Sequence, residues 1–278
     1  MQILFIGDIF AKPGREIVRR ALPALVEQRG IDFVIANVEN SAAGFGVTGD
    51  IAETILSYGV DVMTSGNHVW DKKEVLEYIP RQPKLLRPAN FPAGVPGRGA
   101  YLGTTRTGEL VGVVNVMGRV FMTPIDDPFA VAVREIEALR AKTRIVIVDF
   151  HAEATSEKLA MAWHLDGRAT AVLGTHTHVQ TADERVLPKG TACLTDAGMT
   201  GPHDSIIGVT TEAALGRFLT GMPVKFEPAA GVARLNAVII TADPATGKAT
   251  HIERLNLSAE DVDRLVNRPL ATTGTQSV

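Results

Sequence analysis

Two histidines, His176 and His178, follow the apolar run 169–173 and are separated by a single residue. The run is typical of a buried strand, and both imidazoles can face one site where the strand ends. Alone, such a pair is weak evidence for a metal site, because it also occurs in surface loops. It becomes informative because four other strand-like runs end in side chains that can bind metals: Asp8, Glu39 with Asn40, Asn67 with His68, and His151.

Seven of these side chains form the predicted metal site: Asp8, Glu39, Asn40, Asn67, His151, His176 and His178. Carboxylate, amide and imidazole groups together suit iron, manganese or zinc, and the absence of thiolates disfavours a structural zinc site. Seven protein ligands are too many for one catalytic ion, which must keep an open position. They divide between two ions, the arrangement that acts as a clamp in displacement at phosphorus. Glu39 is the predicted bridge, since each of its oxygens can reach a different ion.

His68 directly follows Asn67, so its imidazole is predicted to lie beside the ions rather than on them. There it could donate a proton to a leaving oxygen or hold a phosphate oxygen. An isolated Asn-His pair more often packs beside its own loop, but the surrounding ligands favour a function for His68. Arg87, Arg98 and Arg119 are candidates for a phosphate contact, although arginines in loops are usually only solvated.

Two carboxylates, Asp149 and Glu153, flank His151 in the sequence. A carboxylate that accepts the second N–H of a metal-binding histidine fixes its tautomer and raises its basicity. The alternative interpretation is a solvated charge at the end of a strand. The sequence leaves both interpretations open.

Length and composition are those of an ordinary globular protein: 278 residues, 45% hydrophobic and 21% charged. With a formal charge of −3, the chain has no positive potential that would bind long nucleic acid non-specifically. A small anion could still bind, because a metal would supply positive charge locally. No apolar run is long enough to span a membrane, and no signal peptide is predicted. The single Cys193 excludes an intramolecular disulfide, which fits the cytoplasm, and a homo-oligomer is compatible with all these features.

The elements that must position the ligands alternate along the first part of the chain. Strands over 3–7, 32–38 and 60–64 alternate with helices over 14–28, 48–57 and 72–79. This rhythm predicts parallel strands with right-handed crossovers. Further elements are predicted as a hairpin over 100–105 and 110–117, helices over 128–141 and 210–219 and from residue 155, and strands over 145–149, 169–173, 191–195, 235–241 and 249–255.

The spread of the predicted ligands bears on the number of domains. They run from Asp8 to His178, so a domain boundary between these two residues would split the site. We therefore predict a single domain over residues 1–257 with two packed sheets. A short helix and a flexible tail are expected over 258–278.

The motifs around the predicted ligands resemble those of the calcineurin-like metallophosphoesterases. The matches are Gly-Asp at 7–8, Gly-Asn-His at 66–68, His151, and Gly-Thr-His-Thr-His at 174–178. The chain departs from that pattern at Phe10, where a histidine ligand is usual, and at 39–40, where the family has a bridging aspartate. It also departs at Val69, where an acidic residue is common. The resemblance implies that Asn40 replaces the missing histidine and that Asp71 takes over the orienting role of the acidic residue.

At these departures, and in the residues around them, the sequence resembles one branch of that superfamily, the YmdB-type bacterial phosphodiesterases. Stretches similar to this branch are 5–8, 36–40, 66–73, 86–90, 149–158, 174–183 and 195–202, and the resemblance extends to about residue 255. It implies an α/β fold, a four-layer α/β/β/α sandwich, with a di-iron or di-manganese centre. It also implies cleavage of cyclic nucleotides, either 2′,3′-cyclic nucleotides or, in some members, 3′,5′-cyclic AMP.

The leading hypothesis is a two-metal phosphodiesterase for small cyclic nucleotides. In it, a hydroxide held between the ions attacks phosphorus and His68 protonates the departing ribose oxygen. A phosphomonoesterase or a nuclease on the same centre is the alternative among enzymes, and the acidic pI near 6.2 disfavours long polymers. A regulatory protein that binds a nucleotide with slow turnover is the alternative from another class, but pure binding needs no complete ligand set for two ions.

Overall fold

The computed structural model describes residues 1–268, which form two six-stranded sheets and seven helices. The first sheet contains β1 (Gln2–Ile6), β2 (Phe33–Asn37), β3 (Val62–Thr64), β10 (Gly201–Pro202), β11 (Ala233–Ala242) and β12 (Ala249–Leu257). The second contains β4 (Ala100–Thr104), β5 (Leu110–Met117), β6 (Ile145–His151), β7 (Ala171–Thr175), β8 (Arg185–Val186) and β9 (Ala192–Leu194). The helices are α1 (Ala11–Arg29), α2 (Gly49–Ser57), α3 (Val75–Tyr78), α4 (Pro128–Arg140), α5 (Thr155–His164), α6 (Thr211–Thr220) and α7 (Ala259–Asn267).

The pairing of the strands confirms the predicted parallel arrangement. β1, β2 and β3 are parallel neighbours in the first sheet, and β5, β6, β7 and β9 are parallel neighbours in the second. β11 joins the first sheet antiparallel to β1, and the predicted hairpin forms as β4 with β5. Parallel strands place their carboxyl ends at one edge of a sheet, and this is where ligands bind in such folds.

Three apolar layers separate four layers of secondary structure. On β1, Leu4 packs toward α1 and α2, whereas Phe5 points into the layer between the sheets. On β6, Ile147 joins that middle layer, whereas Val148 packs toward α4 and α5. Because alternate strand residues face opposite sides, each sheet covers both a helical layer and the other sheet. The predicted four-layer α/β/β/α sandwich is confirmed.

Some elements differ from the sequence-based prediction. Helix α1 begins at Ala11 rather than at residue 14, since Pro13 lies in the first turn, where its missing N–H is not needed. Strands β8 and β10 were not predicted, because two-residue strands carry no periodic pattern. Helix α7 forms with Ser258 as its cap, while the predicted tail beyond residue 268 lies outside the described residues. None of the helices in residues 1–268 has the length and apolarity needed to cross a membrane.

The layer between the sheets changes from apolar to polar along the parallel strands. On β6, Ile145 and Ile147 are followed on the same face by Asp149 and His151, all fully or almost fully buried. On β2, the buried Asn37 ends the strand in the same way. The fold therefore collects polar side chains at one end of an otherwise apolar layer.

Candidate metal centre

Three donor atoms converge on the Nε2 atom of His151. It lies 2.9 Å from Asn67 Oδ1, 3.0 Å from Glu39 Oε1 and 3.1 Å from His176 Nδ1. Glu39 and His151 are completely buried. Ligand atoms of Glu39, His151 and His176 all lie within 4.8 Å of one another, which is close enough to surround one ion. We call these four residues the His151 half of the site.

A second group of donors lies beside the first and shares Glu39 with it. Asn40 Nδ2 lies 3.1 Å from His178 Nε2 and 3.3 Å from Glu39 Oε1, and Asp8 Oδ1 lies 3.9 Å from His178 Nε2. We call Asp8, Glu39, Asn40 and His178 the His178 half. The structure thus brings together all seven predicted ligands.

Asp8 tests whether this second group suits a cation. Its carboxylate is fully buried, and its Oδ1 atom has no hydrogen-bond partner among the described residues. Its Oδ2 atom accepts a hydrogen bond of 3.3 Å from the backbone N–H of His176. Burial raises the pKa of Asp8, because the charged form loses its hydration. An unpaired buried oxygen of this kind is costly unless a cation binds it, so the group fits a metal ion.

His178 holds the nitrogen that faces away from the site in a hydrogen bond, and His176 places the corresponding nitrogen beside a carboxylate. His176 Nε2 lies 3.0 Å from Glu153 Oε2, and His178 Nδ1 lies 2.8 Å from the carbonyl oxygen of Ile207. The carbonyl oxygen accepts a hydrogen bond, so His178 donates its Nδ1–H there and keeps Nε2 toward the site. Partners of this kind fix the ring and its tautomer for metal binding.

His151 is held in the same sense through a threonine. Thr175 Oγ1 donates to Asp149 Oδ1 over 2.7 Å, so it accepts the hydrogen bond of 2.9 Å from His151 Nδ1. Asp149 also accepts hydrogen bonds from Asn37 and Thr64. Burial raises the pKa of Asp149 to about 6, against the effect of nearby His151 and the hydroxyl donors. Of the two carboxylates left open by the sequence, Glu153 contacts His176, and Asp149 reaches His151 through Thr175.

Glu39 and His151 form a buried ion pair. Burial favours the neutral acid, but the charge and hydrogen bond of His151 outweigh it and lower the pKa of Glu39 to about 2. Burial likewise disfavours the imidazolium, yet Glu39 raises the pKa of His151 to about 9. Burial and the charge of His151 lower the pKa of His176 to about 3, so His176 is neutral. An ion that binds His151 Nε2 must displace a proton from it.

The turn that carries His176 and His178 is strained and firmly anchored. Both histidines have positive φ angles, 101° and 67°, which cost non-glycine residues about 1–3 kcal/mol each. Thr177 between them donates from its N–H and its hydroxyl to Asp196 Oδ2, over 3.1 Å and 2.7 Å. Lys158 Nζ donates to the same oxygen over 2.7 Å, and this ion pair is almost completely buried. These contacts hold the strained turn in place.

His68 lies beside the two halves, as predicted. Its backbone N–H donates to Glu39 Oε2 over 3.0 Å, and its Nδ1 lies 2.8 Å from Asp71 Oδ2. Asp71 is therefore placed to orient the imidazole. The preceding Gly66 has no room for a side chain, because an added Cβ would lie 2.2 Å from the ring of His151.

Phe10 occupies the position where the resemblance expects a histidine ligand. Its buried ring packs edge-on against His178, with ring centroids 5.7 Å apart. Gly44 and Gly208 leave room for this ring, since a Cβ added at either would approach it to within 2.8 Å and 2.7 Å. Phe10 thus supports the ring of His178 by packing and offers no metal-binding atom itself.

A cleft of about 500 Å³ opens from the two halves. Its polar lining includes Glu39, Asn40, His68, His176 and His178. Its apolar lining, which we call the apolar side, includes Phe45, Ile207, Val209, Phe218 and Phe226. Arg217 also lines the cleft, whereas Arg87, Arg98 and Arg119 do not. Arg87 instead donates to the carbonyl oxygens of Pro88 and Pro96. Sequence reasoning missed the contribution of α6, because no motif marks that helix.

The two-sheet sandwich, with carboxylate, amide and imidazole groups converging at its strand ends, defines an α/β fold of the metallophosphoesterase type. Residues 4–255 match the family model described as YmdB-like protein. The chain belongs to the YmdB-like family.

Relatives and solved structures agree with this assignment. The chain is 49% identical to a 2′,3′-cyclic-nucleotide 2′-phosphodiesterase of Bacillus subtilis over 255 residues, covering 92% of this chain and 96% of the relative. A structure of a hypothetical protein from Thermus thermophilus is 45% identical, with a TM-score of 0.87 and coverage of 93% of this chain and 99% of the other. A structure of a novel phosphatase from Mycoplasma pneumoniae is 34% identical, with a TM-score of 0.87 and coverage of 93% of each chain.

Proposed function

We propose that this protein is a metal-dependent phosphodiesterase that hydrolyses small cyclic nucleotides, with 2′,3′-cyclic nucleoside monophosphates as its main substrates. The observation that carries the proposal is the convergence of Asn67, Glu39 and His176 on His151 Nε2, at 2.9–3.1 Å, beside a second donor group that shares Glu39. The substrate class is supported by the name of the Bacillus subtilis relative, which is 49% identical.

The proposed ligands divide between two ions, with Glu39 as the bridge. Asn67, His151 and His176 would hold one ion, and Asp8, Asn40 and His178 the other. Iron or manganese suits this set of oxygen and nitrogen donors, and zinc is also compatible. When bound, two such ions supply a nucleophile at neutral pH and neutralise charge that develops on the phosphate.

His68 is the proposed proton donor to the departing ribose oxygen. Its Nδ1 is 2.8 Å from Asp71 Oδ2, so the carboxylate fixes the orientation of the ring. Its backbone N–H donates to Glu39 Oε2, and this hydrogen bond keeps His68 next to the proposed ions. General acids of this kind contribute about 10²–10⁴-fold to the rate.

Three broader predictions belong with this proposal. We infer a single domain over residues 1–257, because both sheets contribute ligands to one site. A cytoplasmic location is inferred from the single cysteine, Cys193, which is a buried free thiol. The third prediction is that the chain can form a homo-oligomer.

A substrate panel tests the proposal. Protein reconstituted separately with Mn²⁺, Fe²⁺ or Zn²⁺ is assayed on 2′,3′-cyclic AMP, 3′,5′-cyclic AMP, a linear dinucleotide and p-nitrophenyl phosphate, with Asp8→Ala as the control for contaminating activity. We expect the 2′,3′-cyclic substrate to be hydrolysed fastest. Faster hydrolysis of the monoester would identify a phosphomonoesterase, and faster hydrolysis of the dinucleotide a nuclease. Tight nucleotide binding without turnover would favour the regulatory protein.

A further inference from the structure

The apolar side of the cleft has a composition that the metal chemistry does not require. Phe45, Ile207, Val209, Phe218 and Phe226 line it, next to the histidines of the site. The ions and a phosphate need charged and polar partners, which the polar lining provides. An apolar, aromatic surface that continues from the reacting position suits a flat, weakly polar part of the substrate.

Phe218 offers the least covered aromatic ring in this surface. It is 80% exposed, although it lies on α6 and lines the cleft. Phe45 already packs edge-on against His68 with centroids 5.0 Å apart, and the guanidinium of Arg217 lies 5.2 Å from the ring centroid of Phe226. Phe218 is therefore the ring with a face free for a ligand.

We infer that this side of the cleft binds the nucleobase, that Phe218 is its stacking surface, and that the site accepts all four bases. The inference rests on the proposed function, since it assigns the base of that substrate. Stacking on an aromatic ring tolerates every base, because every base has a π-face. It should favour purines over pyrimidines in proportion to ring area.

The polar side chains that line the cleft explain why the site should not discriminate between bases. Reading a base edge requires donors and acceptors matched to it, as when Asn or Gln pairs with adenine. Of the polar side chains that line the cleft, Arg217 is the one that α6 carries next to Phe218. The others belong to the metal site or adjoin its histidines: Glu39, Asn40, His68, Glu153, His176, Thr177 and His178. The guanidinium of Arg217 lies over the ring of Phe226, and it can only donate hydrogen bonds. It can contact guanine O6 and N7, but it cannot distinguish all four bases.

The test compares Phe218→Ala with a matched control, Phe121→Ala. Phe121 is 91% exposed and does not line the cleft, so both changes remove an exposed ring. Substrates are the 2′,3′-cyclic phosphates of adenosine, guanosine, cytidine and uridine, together with ribose 2′,3′-cyclic phosphate, which has no base. We expect Phe218→Ala to raise KM for the nucleotides by about 5- to 20-fold, the lower range for stacking on one face. KM for the base-free compound should stay unchanged, and the control should leave every KM unchanged.

A binding measurement separates this inference from the proposed function. Adenosine 3′-monophosphate is titrated into both variants and the unaltered protein by calorimetry, which requires no turnover. Weaker binding to Phe218→Ala alone supports the base site even if no diester is hydrolysed. Unchanged binding and KM in Phe218→Ala would overturn the inference, as would an equal rise in KM for the base-free compound. Discrimination among the two purines or the two pyrimidines by more than about tenfold would overturn the claim that all bases are accepted.

Discussion

The two halves of the metal centre differ in how closely their donor atoms approach one another. In the His151 half, three donor atoms lie 2.9–3.1 Å from one nitrogen, and that histidine is anchored to a buried network around Asp149. In the His178 half, Asp8 Oδ1 lies 3.9 Å from His178 Nε2 and has no hydrogen-bond partner among residues 1–268. Phe10 packs against His178 without adding a ligand. The difference indicates that the His151 half is the more preorganised of the two donor groups.

The same contrast has a source in the fold. The His151 half draws on the ends of β6 and β7 and on the loop after β3, where a polar network of Asn37, Thr64 and Thr175 surrounds Asp149. The His178 half draws on the ends of β1 and β2 and on the turn after β7 that also carries His176. At the end of β1, Phe10 belongs to a small apolar cluster with Met199 and Val209. A polar network fixes donor atoms by hydrogen bonds, whereas an apolar cluster fixes only the position of a ring.

The largest effect should come from removing the residue that both halves share. Glu39→Ala should lose both ions and all turnover, whereas Asp8→Ala should mainly weaken the ion of the His178 half. Elemental analysis of each variant after identical reconstitution gives the answer, with circular dichroism as a check on folding. If the Glu39 variant kept both ions, Glu39 could not be the bridge.

A smaller but still large effect is expected from a residue that belongs to neither half. His68→Ala should keep both ions, while kcat on cyclic nucleotides falls by about 10²–10⁴-fold. The loss should shrink on a nitrophenyl diester, since nitrophenolate departs without a proton. An equal loss on both substrates would mean that His68 holds phosphate, and loss of metal would make it a ligand.

Thr175→Val should affect only the His151 half. The change removes the hydroxyl between His151 and Asp149, and loss of such a supporting hydrogen bond weakens metal binding by about 10–100-fold. Thr143→Val is the matched control, because Thr143 is also buried and bonded, to the carbonyl of Leu110, but lies away from the site. Competition with a chelator measures the affinity of each ion. Equal weakening of both ions would contradict the separation of the halves.

The pH dependence of metal binding probes the His151 half. In the metal-free protein, His151 with a pKa of about 9 carries a proton at neutral pH, and the ion must displace it. Affinity should therefore fall as the pH is lowered, by about tenfold for each unit below the pKa. Calorimetry in buffers with different ionisation enthalpies should detect release of about one proton. Affinity that is constant between about pH 6 and pH 8 would exclude a protonated His151.

The convergence of these side chains could be predicted from the sequence because the physics that places each of them at a strand end is local. An apolar run that ends in His151 or Glu39 marks both a buried strand and its polar end, and parallel pairing brings such ends together. The contact between Glu153 and His176 could not be predicted, because it depends on the positive φ angles of the turn. The apolar side of the cleft also carried no signal, since Phe218 resembles any exposed residue of a surface helix.

The gradient in the layer between the sheets has a consequence for how the molecule holds together. At one end, aliphatic side chains join the two sheets; at the other end, the proposed ligands from both sheets would be joined through the ions. A ligand that binds only the folded chain adds to its resistance to unfolding, by about 2.7 kcal/mol at a hundredfold excess over Kd. The catalytic ions would then also act as a cross-link between the sheets, and the melting temperature would depend on the concentration of free metal.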